Sequence, residues 1–260
     1  MPNNQKYLKL IANECASKIQ NAVHSDEYFD SPFKHLVIDN FLPTELAEEC
    51  LEYFPDIDGG EWEHEDIQDI EVKYRTTWKS EFDIPDGLVN AIRVMNSALI
   101  LHAMSYLFSI PKLMPDPYFT GGGLNVTKKG GLLDVHVDGN YHDASGLHRR
   151  INALIYLNKD WTPDWGGEFG LYDRNGSVCL KKVPPLFNRL VIFDSHDYSF
   201  HGLPNPINFP ADTPRRSIIL YYYTKDPRPS ELIAVNEPHS ALWVKKNLMD
   251  KRGNKKRKFT

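Results

Sequence analysis

The chain is poor in cysteine and has no long apolar run. Cys15, Cys50 and Cys179 stand far apart with no CxxC spacing, which offers neither a disulfide framework nor a zinc knuckle. A reducing, cytoplasmic setting is the expectation. No segment approaches the ~18 apolar residues of a membrane helix, and the first twenty residues lack the apolar stretch that precedes a signal-peptide cleavage site. Neither secretion signal nor membrane span is expected. Internal repeats are absent as well.

What is present suits one domain, since 260 residues with 41% hydrophobic and 12% aromatic content can bury a full core. The net charge of −5 conceals an asymmetry: residues 245–260 carry eight Lys or Arg and one Asp, net +7, leaving −12 on residues 1–244. Two readings of this basic tail stand, a flexible, solvated end and a strip that docks on nucleic acid or another acidic surface.

Residues 5–20 have a loose helical pattern, and Leu46, Cys50 and Phe54 recur four apart between Pro43 and Pro55. HLVID at 35–39 reads as a strand. Residues 86–108 read as the longest helix, with Leu88, Ile92, Met95 and Leu99 on one face. The acidic stretch 59–72, continuing to Trp78, fits neither period and reads as a lid or a surface loop. From Tyr118 the texture changes to short strand-like runs: GGGLNVT, GLLDVHVDG, INALIYLNKD, EFGLYDRNG, RLVIFDS and RRSIILYYYT. Such spacing predicts an antiparallel sandwich or barrel. Trp161, Trp165, Gly166 and Gly167 read as a packed, tight connection without chemistry.

Within GLLDVHVDG, His136 and Asp138 are two apart on a strand, so both side chains project from one face and can grip one ion. H-x-D alone says little, because His24 with Asp26 and His64 with Asp66 repeat it. Only His136 is flanked by Leu133, Val135 and Val137, the residues of a rigid strand. A third ligand is expected from FDSHDYSFHG, which offers His196 and His201. Two imidazoles and one carboxylate leave three positions open, the arrangement of O2-activating iron, although zinc also accepts such a set. Fifteen residues on, Arg216 shares a strand face with Ile218, Leu220 and Tyr222 by the period of two. A buried guanidinium there needs an anion, and its fork matches a carboxylate. Arg215 has the opposite parity and is the competing anchor.

In order and spacing, HVDG, RRINALIYLNKDW, GGEFGLYD, PLFNRLVIF, HGLP and RRSIILYYYT resemble the prolyl 4-hydroxylase-type 2-oxoglutarate and Fe(II)-dependent oxygenases. The resemblance spans about residues 118–225. It implies an α+β, mainly β fold, a double-stranded β-helix (jelly-roll or cupin-like) core at 118–225, supported by 1–117 and followed by an extension at 226–244. Position by position it implies His136, Asp138 and His201 as iron ligands, with His196 as fallback. It implies Arg216 as anchor of the 2-oxoglutarate carboxylate, with Tyr156 bonding the same group and Asn152 and Leu154 lining the pocket.

The implied activity is C–H hydroxylation with Fe(II), O2 and 2-oxoglutarate, supported by ascorbate, on a prolyl residue of a peptide or protein. Tyr141, His142 and Arg149 would then border the substrate entrance, their alternative being plain loop residues. Free amino acids, small metabolites and nucleic acid remain as other substrates. A jelly-roll binding module without catalysis remains as another class.

Overall fold

The computed structural model describes residues 5–59 and 62–250. Four helices, α1 (Gln5–Asn21), α2 (Thr44–Glu52), α3 (Asp86–Met95) and α4 (Ala98–Phe108), lie in its N-terminal part. Interspersed with them are β1 (Tyr28–Phe29), β2 (His35–Ile38), β3 (Trp62–Ile67) and β4 (Glu71–Thr76). Ten strands follow: β5 (Met114–Pro115), β6 (Gly123–Thr127), β7 (Leu132–Val137), β8 (His148–Tyr156), β9 (Phe169–Tyr172), β10 (Cys179–Val183), β11 (Arg189–Asp194), β12 (His201–Leu203), β13 (Arg215–Thr224) and β14 (Leu242–Trp243). Among the described residues no single helix is long and apolar enough to cross a membrane.

The single helix read over 86–108 is two. Asn96 ends α3, and the Ser97 hydroxyl accepts the Ile100 N–H to start α4, with a bend of 46° between them. The apolar stripe continues across the break and hides it, while Asn-Ser is a cap signal in both directions.

Strand pairing is antiparallel throughout, and the chain alternates between two layers. In space one layer runs β2-β11-β8-β13-β6 and the other β7-β12-β9-β10, while β4 bonds both β6 and β7 and joins them at one side. This is the curled, double-stranded β-helix that the resemblance implies.

Alternation along the strands of the first layer sorts their side chains. Ile151, Ala153 and Ile155 of β8, Leu190 and Ile192 of β11, and Ile218, Leu220 and Tyr222 of β13 pack outward against the four helices. Leu154 and Tyr156, Val191 and Phe193, and Ile219 face inward, where Phe169 and Leu171 of the second layer meet them. Both faces of this layer are covered, which is why its strands are apolar at odd and even positions alike.

The acidic stretch is not an irregular loop. Its residues 62–76 are the β3–β4 hairpin, paired from Trp62↔Thr76 to Ile67↔Glu71. Cross-strand charge pairs such as Arg75 with Glu63 (2.6 Å) replace the apolar alternation by which a strand is read. Of the basic tail, residues 245–250 fold back so that Met249 bridges Trp243. Residues 251–260, most of the tail read as flexible, lie outside the described residues.

Candidate metal and co-substrate site

β7 and β12 are hydrogen-bonded neighbours, with His136 directly opposite His201. That register brings together two imidazoles far apart in sequence. Gly202 makes the close approach possible, because a Cβ there would lie 2.8 Å from the carbonyl oxygens of Leu133 and Asp134. Asp138, just past the end of β7, completes the group. Nε2 of His201 is 3.3 Å from Oδ2 of Asp138, and Nε2 of His136 is 3.6 Å from Oδ1. The ligand atoms of all three lie within 4.8 Å of one another.

Each ring is oriented from behind. Nδ1 of His136 donates to the Asp134 carbonyl at 2.8 Å, and Nδ1 of His201 to the Ser199 carbonyl at 2.9 Å. Those bonds fix the tautomer that leaves both Nε2 lone pairs facing Asp138. Burial lowers His201 to about 4 against the opposing pull of Asp138, so its imidazole is neutral at pH 7. Burial acts to raise the Asp138 carboxyl, but His201, His136 and Arg149 outweigh it and hold it well below the usual carboxylate range. Two ring nitrogens and one carboxylate, converging with no further protein ligand among the described residues, can hold a divalent ion with positions to spare.

His196 stands apart from this group, buried against Phe33 with its Nδ1 accepting the Tyr198 N–H. His64 stacks flat on Tyr74 at 4.2 Å. Among the described residues the metal-competent cluster includes neither, nor His24.

The carboxylate anchor read from parity needs correction. Arg216 lies on the outer, helix-covered face of β13, half-exposed, its guanidinium 5.8 Å from the Phe54 ring. It lines a cavity of about 240 Å³ with Asp56, Lys128 and Asp212, away from the metal group. Arg215, 5% exposed, is the inward residue. Its Nε donates to the Gly167 carbonyl (2.9 Å), and its guanidinium lies 4.9 Å from the centre of the Tyr156 ring. The apolar set Ile218, Leu220 and Tyr222 marks the face that meets the helices, so sharing parity with it points away from the site.

Tyr156, Leu154 and Asn152 do share the inward face. Tyr156 is fully buried and its hydroxyl has no hydrogen-bond partner among the described residues. Burial raises its pKa, with Arg215 opposing. Asn152 donates from Nδ2 to Oδ2 of Asp138 at 2.5 Å and leaves its Oδ1 unpaired. Ser217 and Asn125, cross-strand partners on the same face, add a hydroxyl and a whole carboxamide buried without partners. So many orphaned polar groups facing one interior describe a cradle for a polar guest rather than an apolar core.

Of the three residues placed at the entrance, Tyr141 and Arg149 line a cavity of about 660 Å³ that opens on His136 and Asp138. Arg149 packs its guanidinium over Tyr221 at 3.9 Å and reaches Asp138 at 3.8 Å. His142 does not line the cavity: it is buried, with Nε2 at 3.1 Å from Asp116 and 3.2 Å from Thr120, and Nδ1 accepting the Ser145 N–H. Four neighbours of the site carry no sequence signal by themselves. Ser217, Asn125 and Tyr221 could be found only by pairing β13 with its partners, and Trp243, stacked on His136 at 4.4 Å, comes from the far end of the chain.

Residues 122–223 match the family model described as the 2OG-Fe(II) oxygenase superfamily. No curated protein matches the sequence. Among solved structures the chain is similar to a Pseudomonas putida prolyl-4-hydroxylase, at 17% identity and a TM-score of 0.57, covering 82% of this chain and 99% of that one. A Trichoplax adhaerens prolyl hydroxylase, solved with a peptide fragment of the hypoxia-inducible factor oxygen degradation domain, aligns at 19% identity and a TM-score of 0.55 over 85% of this chain and 94% of that one. A prolyl 4-hydroxylase from Phytophthora capsici gives 18% and 0.55, covering 89% and 69%. At these identities the likeness is one of fold.

Proposed function

We propose that this protein, whose residues 122–223 match the 2OG-Fe(II) oxygenase superfamily model, is a dioxygenase hydroxylating a prolyl C–H bond within a peptide or protein. His136, Asp138 and His201 are its Fe(II) ligands, and Arg215 rather than Arg216 anchors the far carboxylate of 2-oxoglutarate. The observation that carries this reading is the pairing of a two-histidine, one-carboxylate cluster with a buried, polar, partnerless interior beside it. The prolyl substrate is supported by the solved relatives, which are prolyl hydroxylases, one of them holding a peptide.

When bound, Fe(II) and 2-oxoglutarate supply the oxidising power: O2 divides between the new hydroxyl and succinate, and CO2 is released. The chain's own part is geometry and exclusion of water. His136 and His201 present Nε2, held by their carbonyl bonds, and Asp138 presents an ionised carboxylate steadied by Asn152. The Arg215 fork would hold the co-substrate's distal carboxylate, and the Tyr156 hydroxyl would donate to the same group. Arg149, pinned over Tyr221, borders the incoming substrate beside Tyr141.

The test is succinate formation from 2-oxoglutarate, followed by NMR with Fe(II), ascorbate as reductant and proline-containing peptides. Turnover that needs iron, His136 and peptide is expected, and His136→Ala should abolish it. Bound 2-oxoglutarate without turnover under any of these conditions would overturn the oxygenase reading.

A further inference from the structure

Two loops border the cavity that opens on His136 and Asp138. Residues 116–122, leading into β6, give it Thr120 and Gly121, and residues 138–147, between β7 and β8, give it Gly139 and Tyr141. A buried link joins them. Nδ1 of His142 accepts the Ser145 N–H at 3.2 Å, so Nε2 carries the ring proton and faces Asp116 Oδ1 at 3.1 Å and the Thr120 hydroxyl at 3.2 Å. The Asp116 carboxylate in turn holds its own loop, accepting the N–H groups of Tyr118 (2.8 Å) and Thr120 (2.7 Å).

The same residue closes the second loop on itself. The His142 N–H bonds the Leu147 carbonyl at 2.8 Å, the His142 carbonyl accepts the Gly146 N–H at 2.7 Å, and Tyr141 beside it bridges His148. Only 2% exposed, the ring stands edge-on to Tyr223 of β13 at 5.1 Å and tilted against Tyr118 at 5.5 Å. His142 does not line the cavity, and both its ring nitrogens are committed to the loops that do.

We propose that His142 and Asp116 are a positioning pair for substrate: together they lock the two loops at a fixed separation, so that Tyr141 and Thr120 are in place before a peptide arrives. The proposal rests on the peptide-oxygenase reading and adds to it the residues that shape the entrance. Order imposed in advance favours binding, because a rim that the ligand itself must immobilise subtracts that entropy from the affinity. His142 acts through Tyr141 and Thr120 and lies outside the metal group.

His142→Phe keeps a ring against Tyr223 and removes the link to Asp116, whereas His142→Gln can still offer an N–H there. Calorimetry on the full chain loaded with Mn(II) and 2-oxoglutarate, with a proline-containing peptide, should show affinity about tenfold lower in the Phe variant. The Gln variant should stay within about threefold of wild type, and the affinities for Mn(II) and 2-oxoglutarate should be unchanged in both. Deuterium exchange of the ligand-free chain reads the link without a substrate: in His142→Phe it should quicken at 116–122 as well as at 138–147, with β8 and β13 unchanged. Wild-type peptide affinity in the Phe variant, an equal loss of Mn(II) affinity, a Gln variant no better than Phe, or unaltered exchange at 116–122 would overturn the proposal. Weaker peptide binding in the Phe variant without succinate from any variant would leave it standing and remove hydroxylation. Succinate formed with wild-type peptide affinity in the Phe variant would do the reverse.

Discussion

Arg215 and Arg216 are adjacent in the chain and face opposite sides of β13, so substitutions at the two positions interrogate different surfaces. Arg215→Ala should raise the KM for 2-oxoglutarate about 10- to 100-fold, the worth of one or two charged hydrogen bonds. Arg216→Ala should leave it within about twofold. Steady-state kinetics in 2-oxoglutarate check both, and the reverse result would return the anchor to Arg216. His136 and Asp138 could be read in the sequence because the period of two and their apolar flanks locate a strand. Choosing between the two arginines demanded knowing which face of β13 the helices cover, and that depends on residues 1–110 packing against it. No local pattern carries that information.

At the scale of elements, the short strand β14 matters more than its length suggests. It pairs with β7 so that Trp243 stands opposite His136, ring upon ring at an angle of 23°. Groups behind a metal ligand commonly change metal affinity 10- to 100-fold when removed. Trp243→Ala should weaken Mn(II) binding about tenfold, and Trp243→Phe, which keeps the stack, should retain most of it. Affinity by calorimetry separates this from mere loss of activity, and wild-type affinity in the alanine variant would refute it. The strands of the core were legible as apolar runs between turn residues. β10, β12 and β14 were not: β10 alternates half-buried and exposed residues, and the other two are only three and two residues long. The hairpin β3–β4 was missed because charge pairs, not apolar contacts, hold its strands together.

The whole molecule depends on how its last segment is fastened. Asp197, fully buried, accepts from Nη1 of Arg228 (3.0 Å), the N–H groups of Ala234 (2.7 Å) and Val235 (2.9 Å), and lies 3.3 Å from Nε2 of His239. Asp197→Ala leaves Arg228 charged and buried, which should cost about 3–5 kcal/mol and appear as a clear drop in Tm. An unchanged Tm would show the segment to be held elsewhere. Global stability should also respond to pH through buried histidines, two of which lie outside the metal group. Burial lowers His35 from 6.5 to about 4 and His196 to about 3. Between those values and pH 6.5 the unfolded chain binds protons that the folded chain does not. Their contribution is therefore fully present above pH 6.5 and drains as pH falls toward 4. Tm measured from pH 7.5 to 5 should decline, and less steeply in His35→Gln; a flat profile would contradict it.

The union of β14 with β7 sets where the protein can be cut. The stretch that matches the 2OG-Fe(II) oxygenase model stops at residue 223, yet the indole against His136 arrives twenty residues later. A fragment trimmed to the matching stretch is expected to expose the β7 edge and misorient one ligand, so the smallest working piece extends beyond Trp243.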